Sequence, residues 1–572
     1  MKMTEKVEQW LQPPFDESTQ MAVRALMKNQ PELEEAFYQD LSFGTGGMRG
    51  VMGVGTNRIN AYTLGKNTQG LCHYLYEKYP NQEIYAVVAH DCRNNSKSLA
   101  KVVADIFTAN NIYCYLFTDL RPTPELSFAV RHLKAHCGIV LTASHNPPKY
   151  NGYKVYNKDG GQLVPPEEGK IITHINNTHF QDIRFEGQTE KLIYIDSEVD
   201  TAYHQAVLTS ANFSIQREKP FHLVYTPLHG TSITAIPDVL SKAGYAQLGI
   251  VDEQAKPDGD FPTVKSPNPE EPEALTKALE KAKKEKADMV IGTDPDADRL
   301  GIAVPDEEGQ WHLLNGNQTM VVMTDFLLQK KQNENRLHTK QFVASTIVST
   351  PMVEKIAQHY GVQYKSCLTG FKWIAALIEN HPELEFIGGG EESFGYLVGA
   401  QVRDKDAISA SLLACEIGLE AKQKGKSFWQ FLMQCYEKYG LYYEKLISLT
   451  KEGKEGAQAI TKMMTHYRNH PPKIIGDVAV QSVADYKQQE KVNLKTQQKF
   501  ALSLPQSDVL LFELEDGSRI ALRPSGTEPK IKFYFSVNQP YVSHISYAEQ
   551  MVSMNQKTET LMKSFLDHDA RF

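Results

Sequence analysis

Residues 141–154 read LTASHNPPKYNGYK, and no other stretch of the chain is as informative about the fold. An apolar strand is predicted just before it, over residues 139–141. A turn follows, because Asn146 and the prolines at positions 147 and 148 favour a reversal of the chain. Ser144 lies on that turn, so its hydroxyl is presented at the end of a strand. Ligands of open α/β sheets bind at this edge, and the stretch therefore predicts an α/β fold with Ser144 in its active region.

Short apolar runs recur up to residue 440, and a polar or glycine-rich loop follows each of them at once. They alternate with helical stretches, which indicates three consecutive α/β domains with mixed, largely parallel sheets. Residues 509–522 instead hold two β-rich runs joined by Asp516-Gly517, a dipeptide that favours tight hairpins. We therefore expect a smaller C-terminal α+β domain, domain bounds at 1–212, 213–314, 315–440 and 441–572, and an active site in a central cleft.

Composition excludes several classes of protein. A length of 572 residues exceeds what one hydrophobic core supports, and a net charge of −8 argues against a nucleic-acid surface. No apolar run is long enough to cross a membrane and the N-terminus does not resemble a signal peptide, so we expect a cytoplasmic protein without a membrane partner. The seven cysteines include no Cys-x-x-Cys pair, which argues against a zinc knuckle or a disulfide framework.

Three aspartates alternate after the apolar run at 289–291: Asp294, Asp296 and Asp298, followed by Arg299. Alternating side chains on extended backbone point to one side, and hard carboxylate oxygens suit Mg²⁺. An EF-hand loop starting at Asp294 would need glycine at its sixth place and glutamate at its twelfth, where Arg299 and Pro305 stand. The pattern predicts a magnesium site, while a solvated acidic loop stays open as the alternative.

Two further loops carry polar groups suited to a sugar phosphate. In residues 388–395, GGGEESFG, the carboxylate of Glu391 and the hydroxyl of Ser393 can bind neighbouring sugar hydroxyls. Residues 523–530 read RPSGTEPK, and an arginine fork, hydroxyls and a glycine-opened backbone suit a phosphate dianion. The run Gly425-Lys426-Ser427 lacks the earlier glycine of a Walker A loop, so nucleotide hydrolysis is not indicated.

Together these motifs resemble the α-D-phosphohexomutase family, and they follow the family's order from residue 43 to residue 534. The chain is most similar to the long bacterial members. The resemblance implies an intramolecular phosphotransferase of the isomerase class, with Ser144 as the phosphoserine. Asp294, Asp296, Asp298 and a phosphoserine oxygen from Ser144 would hold Mg²⁺. A sugar phosphate is the small-molecule partner that the resemblance implies, with glucose 1,6-bisphosphate as intermediate and activator.

The resemblance also assigns roles to the remaining motif residues. Arg49, in the loop FGTGGMRG at 43–50, would face the reacting phosphate, and Lys154 would transfer protons, with His145 nearby. The substrate-binding residues that it implies are Arg299, Lys372, Glu391, Ser393, Lys405, Arg523, Ser525, Gly526 and Thr527.

The implied reaction is the interconversion of glucose 1-phosphate and glucose 6-phosphate. Phosphomannomutase and phosphopentomutase activities share every motif and stay open as alternatives. Several dual-specificity members carry histidine two residues after the sugar-loop serine, where this chain has Gly395, so an acid/base role cannot be carried over to that position. A metal-dependent phosphatase could also use a phosphoserine, but the loop around Arg523 would then have no purpose. A silent sugar-phosphate binder would need neither Ser144 nor the aspartates.

Overall fold

The structure is a computed structural model that describes residues 2–44, 46–213, 220–451, 453–525 and 530–569. The chain divides into two compact units, Met1–Thr319 with Phe371–Phe428, and Met320–Gly370 with Trp429–Phe572. None of the helices in these described ranges combines the length and the apolar character needed to cross a bilayer.

Helices and strands alternate through most of the chain. The helices are α1 Met3–Gln9, α2 Glu17–Leu26, α3 Gln30–Phe37, α4 Ala61–Lys78, α5 Ser96–Ala109, α6 Thr123–His132, α7 Glu167–Asn176, α8 Ser197–Ala211, α9 Ile236–Lys242, α10 Asp252–Ala255, α11 Thr276–Glu285, α12 Gly316–Asn333, α13 Met352–Tyr360, α14 Lys372–Asn380, α15 Ala407–Gln423, α16 Phe428–Tyr439, α17 Gly453–Asn469 and α18 Tyr547–Asp569. Short 3-10 helices cover Phe180–Asp182, Thr189–Lys191, Thr231–Thr234 and Pro272–Leu275.

The strands fall mainly between these helices and in the C-terminal region. They are β1 Gly47–Val51, β2 Tyr85–His90, β3 Tyr113–Phe117, β4 Cys137–Leu141, β5 Tyr150–Asn157, β6 Leu192–Ile195, β7 His222–Thr226, β8 Gln247–Ile250, β9 Met289–Thr293, β10 Leu300–Pro305, β11 Trp311–Leu314, β12 Gln341–Thr346, β13 Gln363–Cys367, β14 Glu385–Glu391, β15 Gly395–Val398, β16 Leu441–Thr450, β17 Ile474–Ile475, β18 Val478–Asp485, β19 Glu490–Asn493, β20 Lys499–Ala501, β21 Leu510–Leu514, β22 Arg519–Pro524 and β23 Lys530–Gln539.

Two mixed sheets organise the first unit. One has the order β1-β5-β4-β2-β3-β6, in which β4, β2, β3 and β6 run parallel and β5 is antiparallel to β4 and β1. The other has the order β11-β10-β9-β7-β8, with β7 parallel to both β8 and β9. β14 and β15 form an antiparallel hairpin in the same unit. The loops after β4 and β9 leave the carboxyl ends of parallel strands, where α/β proteins bind ligands.

Buried apolar side chains pack the first of these sheets against helix α5. Val88, Ile139 and Leu141 of the first sheet share a fully buried core with Val103 and Phe107 of α5. Burying one such side chain contributes about 1.5–3 kcal/mol. Helix α5 therefore packs on the first sheet through apolar side chains of β2 and β4.

A second aromatic cluster joins the N-terminal helices to α4. The ring of Trp10 stacks on Phe15 at 4.3 Å and meets Phe37 and Tyr62 edge-on at 5.6 and 5.9 Å. Trp10, Phe15 and Phe37 are almost completely buried. Helices α1 to α3 therefore have an apolar core of their own that continues into α4.

The second unit is dominated by a long antiparallel sheet. Its order is β16-β23-β22-β21-β18-β19-β20, and β17 pairs with β18. β12 and β13 form a parallel pair in the same unit. Arg519 of β22 forms an ion pair with Glu354 of α13, with 3.2 Å between Nη2 and Oε2. The hydroxyl of Tyr467 donates to the carbonyl of Phe565 at 2.6 Å, which joins α17 to α18.

The predicted fold class is confirmed: mixed α/β sheets precede a sheet-rich C-terminal domain, and the predicted hairpin is β21–β22. Two details differ from the expectation. The glycine run at 388–390 belongs to strand β14 and is not a loop, because each glycine pairs with a residue of β15. Arg523 likewise lies within β22, opposite Lys532, so the first two residues of the predicted phosphate loop belong to a strand. The domain bounds stay a prediction.

Candidate active site

Ser144 follows β4 in a backbone conformation that few residues adopt. Its φ is +50°, in the left-handed region that disfavours residues with a Cβ. Its N–H donates to Thr142 Oγ1 at 2.9 Å. The hydroxyl donates to Asp294 Oδ2 at 2.6 Å and lies 3.2 Å from His145 Nδ1. The turn therefore aims Oγ at the aspartate loop, and such local strain persists only where the surroundings enforce it.

The three predicted metal ligands converge. Asp294, Asp296 and Asp298 are buried, and one oxygen of each lies within 4.8 Å of the others. The expected cause, alternation along extended backbone, is wrong. The loop is a turn with Ala297 at φ +58°, and the N–H groups of Asp298 and Arg299 both donate to Asp294 Oδ1, at 3.1 and 3.0 Å.

The donor set fits a divalent cation. Among the described residues, Asp296 Oδ1 and Asp298 Oδ1 are buried without a hydrogen-bond donor. Leaving such oxygens unsatisfied is unfavourable, and Mg²⁺ prefers carboxylate oxygens. Burial, together with the charges of Asp296 and Asp298, raises the pKa of Asp294 well above its usual value. The buried triad could therefore hold a metal ion, which would relieve this repulsion.

Two lysines also contact the triad. Lys154 Nζ lies 2.7 Å from Asp296 Oδ2 and 3.0 Å from Asp298 Oδ2, and Lys405 Nζ lies 3.1 Å from Asp298 Oδ2. Burial lowers the pKa of each lysine, but the carboxylates outweigh it and hold both pKa values above the usual range. In this geometry each lysine keeps its proton and neutralises the aspartates.

The other predicted cations lie around the same two loops. Arg49 of β1 donates through Nη1 to Asn146 Oδ1 at 2.7 Å. Arg299 forms an ion pair with Glu270, and its Nε lies 3.9 Å from Asp298 Oδ1. Burial and the charges of Arg299 and Arg49 lower the pKa of His145 to about 3, so its imidazole is neutral at pH 7. Arg49 thus contacts the serine loop and Arg299 the aspartate loop, while His145 beside Ser144 is uncharged.

Lys372 and Glu391 are both poorly accessible to solvent. Lys372 Nζ, at the start of α14, lies 3.3 Å from Glu168 Oε2. Burial raises the pKa of Glu391 to about 7, although Lys405 favours its charged form. Ser393 lies in the tight connection between β14 and β15, two residues after Glu391.

Gly395 lies against Lys405. A Cβ on this glycine would lie 2.1 Å from Cδ of Lys405 and 2.7 Å from its Cγ. The Lys405 side chain therefore occupies the space that a histidine at position 395 would need.

The fourth predicted loop belongs to the second unit. Arg523 is the next-to-last residue of β22, and the N–H of Ser525 donates to the carbonyl of Lys530 at 2.7 Å. Gly526 and Thr527 lie outside the described residues. The phosphate-binding role of this loop stays a prediction.

The sequence did not single out Thr123, which contacts the triad directly. At the start of α6, its hydroxyl donates to Asp296 Oδ2 at 2.9 Å and its N–H to the Asp296 carbonyl at 2.9 Å. Thr123 is fully buried. No local pattern marks it, because 173 positions separate it from Asp296.

Known proteins share this arrangement of domains. Sequence models of the phosphoglucomutase/phosphomannomutase family match at residues 40–182 (alpha/beta/alpha domain I), 201–309 (domain II), 315–439 (domain III) and 476–550 (C-terminal domain). The phosphoglucomutase of Staphylococcus epidermidis is 38% identical over 513 residues, which is 89% of this chain and 92% of that protein. The phosphoglucomutase of Staphylococcus aureus is 37% identical over 528 residues, 91% of this chain and 94% of that protein.

Solved structures with lower identity share the fold. Parafusin of Paramecium, a phosphoprotein described as a phosphoglucomutase in its open form, aligns with a TM-score of 0.67 at 19% identity, covering 93% of this chain and 95% of that one. A phosphoglucomutase/phosphomannomutase family protein from Burkholderia thailandensis aligns with a TM-score of 0.66 at 18% identity, covering 92% and 96%. With models of all four domains matching in order and relatives 37–38% identical over most of its length, the chain belongs to the phosphoglucomutase/phosphomannomutase family.

Proposed function

We propose that this protein is a phosphoglucomutase that interconverts glucose 1-phosphate and glucose 6-phosphate through a phosphoserine at Ser144. One observation carries the proposal: Ser144 Oγ lies 2.6 Å from Asp294 Oδ2, so a phosphoryl group on Oγ would stand beside the buried triad. The relatives named phosphoglucomutase support glucose phosphate as the substrate.

In the proposed reaction, phosphorylated Ser144 transfers its phosphoryl group to the free hydroxyl of a hexose monophosphate. The bond between phosphorus and Oγ breaks and a bond from phosphorus to the sugar oxygen forms. The sugar hydroxyl loses a proton and Oγ gains one, which restores the serine hydroxyl. Glucose 1,6-bisphosphate results. The bound bisphosphate then reorients in the site, and its other phosphoryl group moves to Ser144 Oγ. This second transfer regenerates the phosphoenzyme and releases the isomeric monophosphate.

Phosphoryl transfer depends mainly on positioning and on charge stabilisation. Mg²⁺ held by Asp294, Asp296, Asp298 and a phosphoserine oxygen would polarise the phosphoryl oxygens as a Lewis acid. Arg49 and Arg299 would bind the negatively charged phosphoryl group during its transfer. Lys154 carries its proton in the present geometry, so it suits the half-reaction in which an oxygen leaving phosphorus must be protonated.

Other side chains would orient the substrate. Glu391 and Ser393 would bind sugar hydroxyls, with Lys372 and Lys405 as further cationic contacts. We propose that the loop of Arg523, Ser525, Gly526 and Thr527 binds the phosphate that is not being transferred.

The proposal is tested by ³¹P NMR of the purified protein with Mg²⁺ and a trace of glucose 1,6-bisphosphate. Glucose 1-phosphate, mannose 1-phosphate and ribose 1-phosphate are supplied in parallel. We expect glucose 1-phosphate to be converted fastest, with glucose 6-phosphate as the product.

Other outcomes would reassign the activity. Faster conversion of mannose 1-phosphate or ribose 1-phosphate would make the protein a phosphomannomutase or a phosphopentomutase. Inorganic phosphate as the main product would indicate a phosphatase and would contradict the proposed mechanism.

A further inference from the structure

Arg93, in the turn after β2, lies directly beneath the serine loop. Its guanidinium donates to four main-chain carbonyls of that loop: Nη2 to Ser144 and Asn146, both at 2.5 Å, and Nη1 to Pro147 and Tyr150, at 3.0 and 3.1 Å. A buried carbonyl in a turn needs a hydrogen-bond donor. The Pro147 carbonyl also accepts from the Tyr150 N–H at 3.0 Å, and Tyr150 is the first residue of β5. One planar side chain donates to all four carbonyls, in addition to this backbone bond.

Asp91 forms an ion pair with the Arg93 guanidinium. Arg93 Nε lies 3.3 Å from Asp91 Oδ2, and both side chains are completely buried. Asp91 Oδ1 also accepts from the Arg93 N–H at 2.9 Å and from Ser96 Oγ at 2.7 Å. Arg93 Nε and Asp91 Oδ2 form an ion pair without a hydrogen bond, and the hydrogen bonds that a buried charge needs are made by Asp91 Oδ1 and by the two Nη atoms of Arg93.

The segment 258–261, which follows α10, covers the guanidinium. The ring centroid of Phe261 lies 5.0 Å from Arg93 Cζ, a cation–π distance. Phe261 is buried and adopts φ +49°, which is unfavourable for an aromatic residue. A Cβ on Gly259 would lie 2.4 Å from the backbone nitrogen of Asn94, so this segment packs tightly against the Arg93 turn. Phe261 thereby excludes water from the guanidinium.

We propose that Arg93 is a positioning residue for phosphoryl transfer, which holds the 144–150 turn so that Ser144 Oγ faces Asp294. The inference rests on the proposed function. The fork of an arginine can serve four carbonyls at once, whereas the single ammonium of a lysine cannot. A displacement of about 1 Å at a reacting atom can slow a reaction about 100-fold, so loss of this support should reduce turnover without removing any group that touches substrate.

The test compares R93K with R58K. Arg58 is also buried and donates to main-chain carbonyls, those of Glu35 at 3.0 Å and Asn57 at 3.2 Å, but neither carbonyl belongs to the 144–150 turn. For R93K we expect kcat to fall about 100-fold, with the KM for glucose 1-phosphate changed less than about threefold. The rate at which glucose 1,6-bisphosphate phosphorylates Ser144 should fall by a similar factor. R58K should lower the melting temperature but keep the wild-type kcat.

F261L provides a second variant that retains Arg93 and removes the ring covering it. We expect a smaller loss of kcat, about three- to tenfold, with KM again unchanged. Wild-type kcat and phosphorylation rate in folded R93K, or in folded F261L should R93K fail to fold, would overturn the inference. So would an equal loss of kcat in R58K. A wild-type enzyme that does not convert glucose 1-phosphate would instead refute the proposed function.

Discussion

The hydroxyl of Ser144 is the atom on which the proposed reaction depends. In S144A we expect turnover of glucose 1-phosphate to fall by at least about 10⁴-fold, because no oxygen remains to carry the phosphoryl group. Substrate affinity should change little, since Oγ contacts Asp294 and not the groups proposed to bind sugar. A coupled assay measures turnover, and calorimetric titration measures binding.

S98A is the matched control. Ser98 is exposed in α5 and donates only to the carbonyl of Asn95, at 2.9 Å. This variant should keep wild-type turnover. Normal rates in S144A, or continued incorporation of labelled phosphate from glucose 1,6-bisphosphate, would contradict the assignment of Ser144.

Gly395 is required by the position of Lys405. In G395A, the new Cβ would lie 2.1 Å from Lys405 Cδ, so the lysine must move and Nζ would leave Asp298. Overpacking of this kind destabilises by about 1–3 kcal/mol. We expect kcat to fall about tenfold, measured in the same coupled assay.

A double-mutant cycle identifies the cause. If displacement of Lys405 is responsible, G395A should have little further effect in a K405A background, because the clash is gone. Fully additive losses would refute the mechanism. G169A serves as control, since a Cβ on Gly169 in α7 would meet no atom within 4 Å.

Residue types along the sequence predicted the main parts of this site, and contacts between distant segments could not be predicted. Ser144 and the aspartates stand out because a serine at a strand end and a close set of carboxylates are rare without function. Thr123 carries no such pattern, and the short polar run His90-Asp91-Cys92-Arg93 does not by itself indicate contact between Arg93 and the serine loop. The contacts described here for Thr123 and Arg93 are with residues 173 and 51–57 positions away, so only the packing of the folded chain shows what they do.

Helix α2 depends on its N-cap. Asp16 accepts a hydrogen bond from the Thr19 N–H at 2.9 Å and from the hydroxyl of Tyr62 at 2.8 Å, which ties the helix to α4. We expect D16A to destabilise this region by about 1–2 kcal/mol. Urea unfolding measures the loss, followed by the fluorescence of Trp10 in a background in which the other three tryptophans are replaced by phenylalanine, because Trp10 is buried in the neighbouring aromatic cluster.

The same cap should be sensitive to acid. Burial raises the pKa of Asp16, but hydrogen bonds from Ser18, Thr19 and Tyr62 outweigh it and hold the pKa well below its usual value of 3.8. A lowered pKa contributes stability that is complete above about pH 4 and is lost as the pH falls further. The difference between wild type and D16A should therefore shrink below pH 4. D40N, at an exposed carboxylate paired with Lys6, is the control and should change stability by less than about 0.5 kcal/mol. A constant difference between wild type and D16A down to pH 2 would contradict this account.

Strands with a continuous apolar run were predicted well, and strands defined by their partners were not. β2, β4, β7 and β9 all lie where apolar residues precede a polar loop. β5 instead contains polar residues and a glycine, and it is a strand because β1 and β4 pair with it on both sides. Register with a distant strand leaves no local signal in such a segment.

Metal binding should stabilise one of the two units. The triad lies in the unit Met1–Thr319 with Phe371–Phe428, and ligands that bind only the folded state raise its stability. At a Mg²⁺ concentration 100 times the Kd, the gain is about 2.7 kcal/mol. Hydrogen exchange with mass spectrometry should show slower exchange in β9 and β10 on addition of Mg²⁺, and unchanged exchange in β21 and β22 of the other unit.

Substitution within the triad should abolish this response. In D296N the loss of one carboxylate weakens the cation site, so Mg²⁺ should no longer slow exchange in β9 and β10. D406N is the control. Asp406 is equally buried and accepts a hydrogen bond from the Tyr203 hydroxyl at 2.8 Å, but it is not a member of the triad. This control should lose stability and yet keep the full effect of Mg²⁺, since the three ligands are intact. Equal protection of both units by Mg²⁺, or an undiminished effect in D296N, would mean that the stabilising cation binds somewhere other than the buried aspartates.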